Sequence, residues 1–526
     1  MLTGDQFYYG AEVVTSRNWV AAESSDRVVS MANDLLADPR IGWISITDNP
    51  GGGPMLPPDW LAGRVAEQRK QVVIHLTCKD MNRNALEGAA WRYASEGFGN
   101  ILALTGDYPA AGYGGAAQPV FDLDSLGLIA LMRAMNDGLK IEGRGGKPME
   151  LEPTDFFLGC AASPFKRLER ELIPQYFKLL RKIAAGARWV IPQLGYDMRK
   201  FHEIKLLLES RGLDIPVIGN VYLLTKGVAR LFNSGKLAGC VCSDELWEKA
   251  QKYAAGEDKG RKFFRELAAK QLAVFKGLGF AAGYLGGISK PETFGSIIEM
   301  ADSFGDNDWR AFLKEIRYSL PDEFFLFEHD PETGMSSPTQ INPEFKESLK
   351  KPKKGKHVTL GYRFSRMVHW LAFSRDRRMW GFMRRLYGWL DKKPEGTLSK
   401  MAHGVEHGSK AVYFGCQDCG DCMLPDCSYM CPMRGCSKQS RNGPCGGSAD
   451  GVCELDDKEC FWARVYDRLK YYGEQGQMLQ SPVVYYDRTK EGTSAWSNTY
   501  LDRDHAAPDA PNVYPITMPD GEEYWG

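Results

Sequence analysis

The sequence predicts an α/β protein: a (β/α)8 TIM barrel over residues 1–300, then a helical connector and a small cysteine-rich metal-binding domain. Three observations predict it. Eight short β-rich runs recur through the first 300 residues, with helical patterns between them and Gly or Pro at many joins. That rhythm stops near residue 290. Nine of the 13 cysteines then fall between Cys416 and Cys460. A doubly wound open sheet gives a similar alternation and is the structural rival of the barrel.

The β-rich runs are YYGAEVV (8–14), WISITD (43–48), VVIHLTC (72–78), NILALTG (100–106), FFLGCAAS (156–163), WVIPQLGY (189–196), PVIGNVYLL (216–224) and FAAGYLGGI (280–288). Helical patterns such as LERELIPQYFKLLRKIAAGA separate them. Barrel chemistry sits at the carboxyl ends of the strands. Those ends read Glu12, Thr47, Asp48, His75, Asp107, Ser163, Gln193 and Tyr196. Strand ends meet water, so polar residues there are ordinary. Glu12 stands apart because it lies inside GAEVV, where a buried carboxylate costs several kcal/mol unless it is paired or protonated.

Residues 301–405 read as a connector. Its stretch 346–394 is basic and aromatic-rich, and Tyr362 to Leu390 has the pattern of amphipathic helices. Such a stretch suits a membrane surface or nucleic acid. The plainer expectation is Trp and Phe packed on the barrel with Arg outward. Residues 466–526 read as an irregular arm whose Tyr and Trp pack on the barrel or on a second subunit. Lys plus Arg is 66 against 67 Asp plus Glu, so nothing global favours nucleic acid. No run of about 20 apolar residues would span a membrane. The start, MLTGDQFYYGAEVV, has no basic region followed by an apolar one, so the expected location is cytoplasmic. Disulfides are disfavoured there, and clustered cysteines read as metal ligands.

The cysteine-rich segment, 406–465, carries Cys416, Cys419, Cys422, Cys427, Cys431, Cys436, Cys445, Cys453 and Cys460. Three thiols at intervals of two residues, with a later Cys-Pro, are similar to the ligand run of iron–sulfur proteins. Structural zinc more often uses two separated pairs. Nine thiols supply two four-thiolate centres with one left over, and both metals stay open. The glycines and proline of NGPCGG (442–447) suit tight turns that aim N–H groups at sulfur. His403 and His407, just upstream, read as solvent-facing helix residues.

IHLTCKD (74–80) and NILALTGDYP (100–109) resemble two distinctive motifs of the methylenetetrahydrofolate reductases. GAEVV resembles the family's first strand, and VIPQLGYD (190–197) the strand whose glutamine contacts the pterin. The resemblance covers residues 1 to about 300. The cysteine segment resembles the module that accompanies some of these reductases, as a fused tail or a separate subunit. The resemblance implies a flavin-bearing barrel that reduces 5,10-methylenetetrahydrofolate to 5-methyltetrahydrofolate, or runs in reverse. It implies Glu12 as general acid, opening the five-membered ring to a 5-iminium cation that takes hydride from flavin N5. Asp107 would favour that cation beside flavin and pterin. Thr47, His75, Leu104, Gly106 and Ala161 would line the flavin, Arg181 and Lys182 would meet its phosphates, and Gln193 would hold the pterin.

Three departures from the family pattern stand out. VTS (14–16) replaces the usual double proline, Thr105 replaces an arginine, and Ser163 replaces a tyrosine. They leave FAD and FMN both open, and NAD(P)H and an electron-transfer protein both open as donors. The cysteines would then relay electrons, or clamp the tail to the barrel. A folate-dependent methyltransferase or demethylase is the rival enzyme, and a cluster-bearing electron-transfer subunit the non-enzyme rival. A homo-oligomer is compatible with all three.

Overall fold

A computed structural model describes residues 6–17, 23–65, 71–143, 145–237, 239–510 and 514. Eight parallel strands form the centre: β1 (Tyr8–Val13), β2 (Ile41–Ile46), β3 (Val72–Thr77), β4 (Asn100–Leu104), β5 (Phe157–Ala162), β6 (Trp189–Pro192), β7 (Ile218–Tyr222) and β8 (Ala282–Gly286). They pair in the order β6–β5–β4–β3–β2–β1–β8–β7. A parallel bridge from Val190 to Val217 joins β6 to β7 and closes the ring. The barrel expectation holds, and the open-sheet rival does not.

Side chains alternate across each strand. Ala11, Val13, Ile44, Ile46, Ile74 and Leu76 face outward into the main core under the helices. Trp43, Leu102, Trp189, Ile191, Ile218, Ala282 and Tyr284 form a second cluster inside the ring. Size is complementary there. A Cβ on Gly10 would lie 2.2 Å from the Trp43 indole, and one on Gly159 would strike the Trp189 indole. The two indoles plug the barrel floor because their neighbours have no side chain. The same alternation turns Glu12, Thr47, His75, Leu104, Gly106, Ala161 and Gln193 inward, above that floor.

The connector is not purely helical. Helix Asp308–Glu315 packs on helix Arg261–Gly277, so the barrel's shell runs past residue 300. A hairpin, Phe327–His329 with Ser336–Ile341, is held by Arg199, which donates to the Phe327 carbonyl at 2.7 Å and to Ser336 Oγ at 3.0 Å. Helices Leu360–Ala372, Arg378–Leu390 and Thr397–Phe414 follow. The expectation of Trp and Phe packed on the barrel is corrected here. Trp380 and Tyr387 pack instead on Tyr500, of the short helix Ala495–Tyr500. Phe364, Trp370, Phe382 and Trp389 are 50–61% exposed. These helices carry apolar side chains on two sides, and periodicity alone does not say which side has a partner.

Beyond residue 470 the described part of the arm is largely irregular, with the short helices Gln477–Gln480 and Ala495–Tyr500 and a 3-10 turn at Arg488–Lys490. Helix Phe461–Lys470 crosses the arm's boundary and packs on helix Glu169–Ala184. The backbone at 481–484 continues over the same helix, where it meets Arg181 and Asn442. The described part of the arm packs on its own chain. Among the described residues, no helix is long and apolar enough to cross a membrane.

Candidate active site

The mouth is built from the ends of the strands. Glu12, last inward residue of β1, is partly buried. The Tyr284 hydroxyl donates to its Oε2 at 3.3 Å, and the Gly287 N–H to its Oε1 at 3.4 Å. Both bonds are long. Burial therefore outweighs them and raises the Glu12 pKa above the ordinary glutamate value. The carboxyl is biased toward its protonated form, the state a general acid needs.

A polar line runs inward from Glu12. The Tyr284 hydroxyl also meets Ser45, and Ser45 Oγ lies 2.6 Å from His75 Nε2. Burial lowers the His75 pKa to about 4, so its ring is neutral near pH 7. Each hydroxyl carries one proton. With Glu12 as acceptor at the end, the consistent polarity is His75 to Ser45, Ser45 to Tyr284, Tyr284 to Glu12. Neither Ser45 nor Tyr284 was singled out by the strand-end reading. Both are polar residues at inward positions within otherwise apolar strands, a signal that alternation could have yielded.

Asp107 lies beyond β4, where its Oδ2 accepts the Gly51 N–H at 2.8 Å. The Cys240 thiol is pushed up to about 12, by burial first and then by the charges of Asp107 and Glu12, with Lys166 opposing. Gln193 is beside the 239–242 loop: a Cβ on Gly239 would sit 3.3 Å from its Nε2. Its Oε1 accepts the Leu194 N–H at 3.0 Å, which leaves the NH2 as the free end. Thr47 is buried, and its Oγ1 has no hydrogen-bond partner. Gly106 has φ of 88°, and a Cβ there would press on Thr77 and Lys79. An orphaned hydroxyl and small residues at Gly106 and Ala161 fit a flat polar ring such as a flavin.

The tail completes this mouth, which the sequence reading did not foresee. Lys438 Nζ donates to the Gly106 carbonyl at 3.0 Å and pairs with Glu454 at 2.6 Å. Lys166 Nζ donates to the Gly446 carbonyl at 2.5 Å and also to Ser448. A Cβ on Gly446 would lie 2.7 Å from Ser163 Oγ. A tyrosine at position 163 would collide with this loop, so Ser163 makes room for it. Thr105 points outward and takes part in hydrogen bonds with Ser125, away from the mouth.

Arg181 and Lys182 lie apart from the inward group. Arg181 donates to the carbonyls of Asn442 at 3.1 Å, Ser481 at 2.8 Å and Pro482 at 3.1 Å, all in the tail. Lys182 Nζ donates to the Ala161 carbonyl at 2.8 Å, and burial lowers its pKa to about 8.

None of the 13 cysteines is in a disulfide. Cys416, Cys419, Cys422 and Cys431 line one pocket with Met423, Met433 and Arg441. Cys436, Cys453 and Cys460 each face Cys445 closely enough for its charge to raise their pKa, after burial. Cys427 is fully buried and does not line the pocket. The side chains are not drawn together: among the described residues, no three His, Cys, Asp or Glu groups lie at metal-holding distance. The donor chemistry nevertheless fits two four-thiolate centres. His403 Nε2 pairs with Asp418 at 3.0 Å.

A closed (β/α)8 barrel with a burial-raised carboxyl at its mouth and a cysteine-rich tail sealed over one side defines the class. The family described as Methylenetetrahydrofolate reductase matches residues 11–276, and the one described as Methylene-tetrahydrofolate reductase C terminal matches residues 396–488. This chain belongs to the methylenetetrahydrofolate reductase family. The 5,10-methylenetetrahydrofolate reductase of Salmonella typhimurium is 27% identical over 148 residues, 28% of this chain and 42% of that protein. Methylenetetrahydrofolate reductase 2 of Saccharomyces cerevisiae is 29% identical over 196 residues, 36% of this chain and 30% of that protein. The chain thus spans less than half the length of these relatives. A solved structure of a Clostridium thermocellum protein that binds two copies of 5-methyl-5,6,7,8-tetrahydrofolic acid aligns at 10% identity and TM-score 0.37, over 56% of this chain and 93% of that one. That likeness is too distant to carry an argument.

Proposed function

We propose that this chain interconverts 5,10-methylenetetrahydrofolate and 5-methyltetrahydrofolate with a bound flavin, Glu12 being the general acid. The observation that carries the proposal is Glu12 itself: an inward carboxyl whose pKa burial raises, backed by the Tyr284–Ser45–His75 line. In the reductive direction Glu12 gives its proton to the substrate nitrogen that leaves as the five-membered ring opens. The negative charge then left on Glu12 has two donors waiting, the Tyr284 hydroxyl and the Gly287 N–H. Asp107 stabilises the iminium cation by charge. Gln193 presents its amide NH2 to the pterin. Thr47, His75, Leu104, Gly106 and Ala161 would hold the flavin, and Lys182, beneath the Ala161 carbonyl, would lend it positive charge. The flavin, when bound, supplies the hydride.

The tail cysteines are assigned to two iron–sulfur centres, Cys416, Cys419, Cys422 and Cys431 in one and Cys436, Cys445, Cys453 and Cys460 in the other. The seating of the Cys445 loop on Ser163 and Lys166 brings this group of thiols to the barrel mouth, which supports an electron-transfer role and is equally compatible with a clamp of the tail to the barrel. Such centres, when bound, pass single electrons.

Glu12→Gln tests the acid. The variant should keep its yellow flavin and lose about 10²–10⁴-fold in turnover. Full turnover with flavin bound would remove Glu12 from the mechanism. Metal analysis of anaerobically purified protein separates the tail readings: about eight irons per chain fit two clusters, whereas zinc fits a clamp.

A further inference from the structure

The turn after β4, residues 105–108, carries Gly106 and Asp107, and one side chain of the tail grips it. Lys438 comes 332 positions after Gly106, and its Nζ donates to the Gly106 carbonyl at 3.0 Å. That carbonyl belongs to the peptide group leading directly into Asp107. Two further bonds tie the same turn to the loop after β2. Asp107 Oδ2 accepts the Gly51 N–H at 2.8 Å, and the Ala110 N–H donates to the Gly52 carbonyl at 3.0 Å. Glycine at φ of 88° has little conformational preference of its own, so an outside donor fixes the direction of its carbonyl.

The surroundings of Lys438 are built for this contact. Its side chain is buried, and its ammonium pairs with Glu454 at 2.6 Å. A Cβ on Gly447 would overlap the Glu454 carboxylate, so a glycine of the Cys445 loop makes the space in which that anion lies. The ammonium also lies 5.6 Å from the centre of the Phe121 ring, which stacks on Tyr108 at 6.1 Å. Phe121 is an independent observation. It is buried with φ of 42°, a conformation uncommon for a bulky side chain and kept where the surroundings hold the ring in one place. Tyr108 directly follows Asp107. The grip on Gly106 and the Phe121–Tyr108 stack therefore bracket Asp107 in the chain.

An ammonium has three N–H groups, and among the described residues Gly106 and Glu454 take two of them. A buried cation on a mouth-lining carbonyl acts on the ring that occupies the mouth, because a low-dielectric interior screens it weakly. A flavin gains negative charge on reduction, so a cation there favours the reduced form. We infer that Lys438 is a positioning residue of the mouth, supplied by the tail: it fixes the Gly106–Asp107 turn and raises the reduction potential of the flavin held against that turn. The inference rests on the flavin reading above. The barrel without its tail is then an incomplete site.

Spectroelectrochemical titration of the full, flavin-loaded chain tests this. Lys438→Met should lower the flavin potential by about 30 mV, a tenfold change in relative affinity for the reduced form. Glu454→Gln should raise the potential, because the ammonium loses its offsetting anion. A role confined to holding the tail would give no such pair of shifts. Arg181→Met, which loosens the tail elsewhere, should leave the potential unchanged. Opposite shifts at positions 438 and 454 uphold the inference, and any other pattern overturns it. If Lys438→Met does not fold, Glu454→Gln decides alone: a raised potential upholds the inference, and an unchanged or lowered one overturns it. A wild-type chain that binds no flavin overturns the flavin reading and this inference together. Flavin-loaded variants without the shifts overturn this inference and leave that reading standing.

Discussion

Two carboxylates of the same barrel, Glu12 and Asp124, have opposite fates. Asp124 precedes helix Ser125–Asn136 and caps it, accepting from the N–H groups of Leu126 and Gly127. It also pairs with Lys178 at 3.2 Å and accepts from Ser440 Oγ and the Asn442 N–H, both in the tail. Burial opposes its ionisation, yet Lys178 and these donors hold its pKa well below the ordinary carboxylate range. Glu12 has two long bonds and no cation, and burial wins. A saturated buried charge is a joint, and here it fastens the cysteine-rich tail to the barrel. An undersaturated one is a reagent. Thr47, with its orphaned hydroxyl, belongs with Glu12, and Arg181, with three carbonyls, belongs with Asp124.

Substitutions that treat the two alike should therefore give unlike results. Asp124→Asn leaves Lys178 buried without its anion and should cost about 3–5 kcal/mol in denaturant unfolding. Glu12→Gln should leave stability within about 0.5 kcal/mol of wild type while turnover falls by the factor given above. Equal losses of stability at both positions would break the distinction.

The pH dependences should run in opposite senses. The Asp124 pKa is lowered on folding, so its contribution is present above the ordinary carboxylate value and is lost as pH falls through that value toward the folded one. The Glu12 pKa is raised on folding. Between its ordinary and raised values the folded state holds the extra proton, so stability falls as pH rises through that window. The reductive rate should fall along the same limb as the acid form is lost, and Glu12→Gln should abolish both slopes. Arg181→Met should cost about 1.5–3 kcal/mol through the released tail carbonyls, with flavin content unchanged. Thr47→Val should be the mildest change, within about 1 kcal/mol in stability, and its effect should appear in flavin retention.

Much of the barrel was legible in sequence. Each of the eight β-rich runs contains most of one strand, because alternating apolar residues bounded by Gly and Pro are a local signal. The residues turned toward the mouth were legible for the same reason: Glu12, Thr47 and Gln193 fall on the inward parity of their strands. The seam was not. Asp124 reads locally as a helix cap, and its partners Ser440 and Asn442 lie more than 300 residues away. Lys438 and Lys166 reach the mouth by the same long-range docking, and no periodicity marks them. The aromatic connector was misjudged because a helix with apolar side chains on two sides gives a pattern that does not say which side is covered.

The order of strands and helices, the inward set of each strand and the grouping of thiols follow from the sequence by itself, since each depends on neighbours a few residues apart. Which buried charge is quenched and which stays reactive was decided only by the tertiary structure. That outcome depends on how many donors arrive from distant segments, and a pKa in a low-dielectric interior follows those donors rather than the residue's own place in the chain.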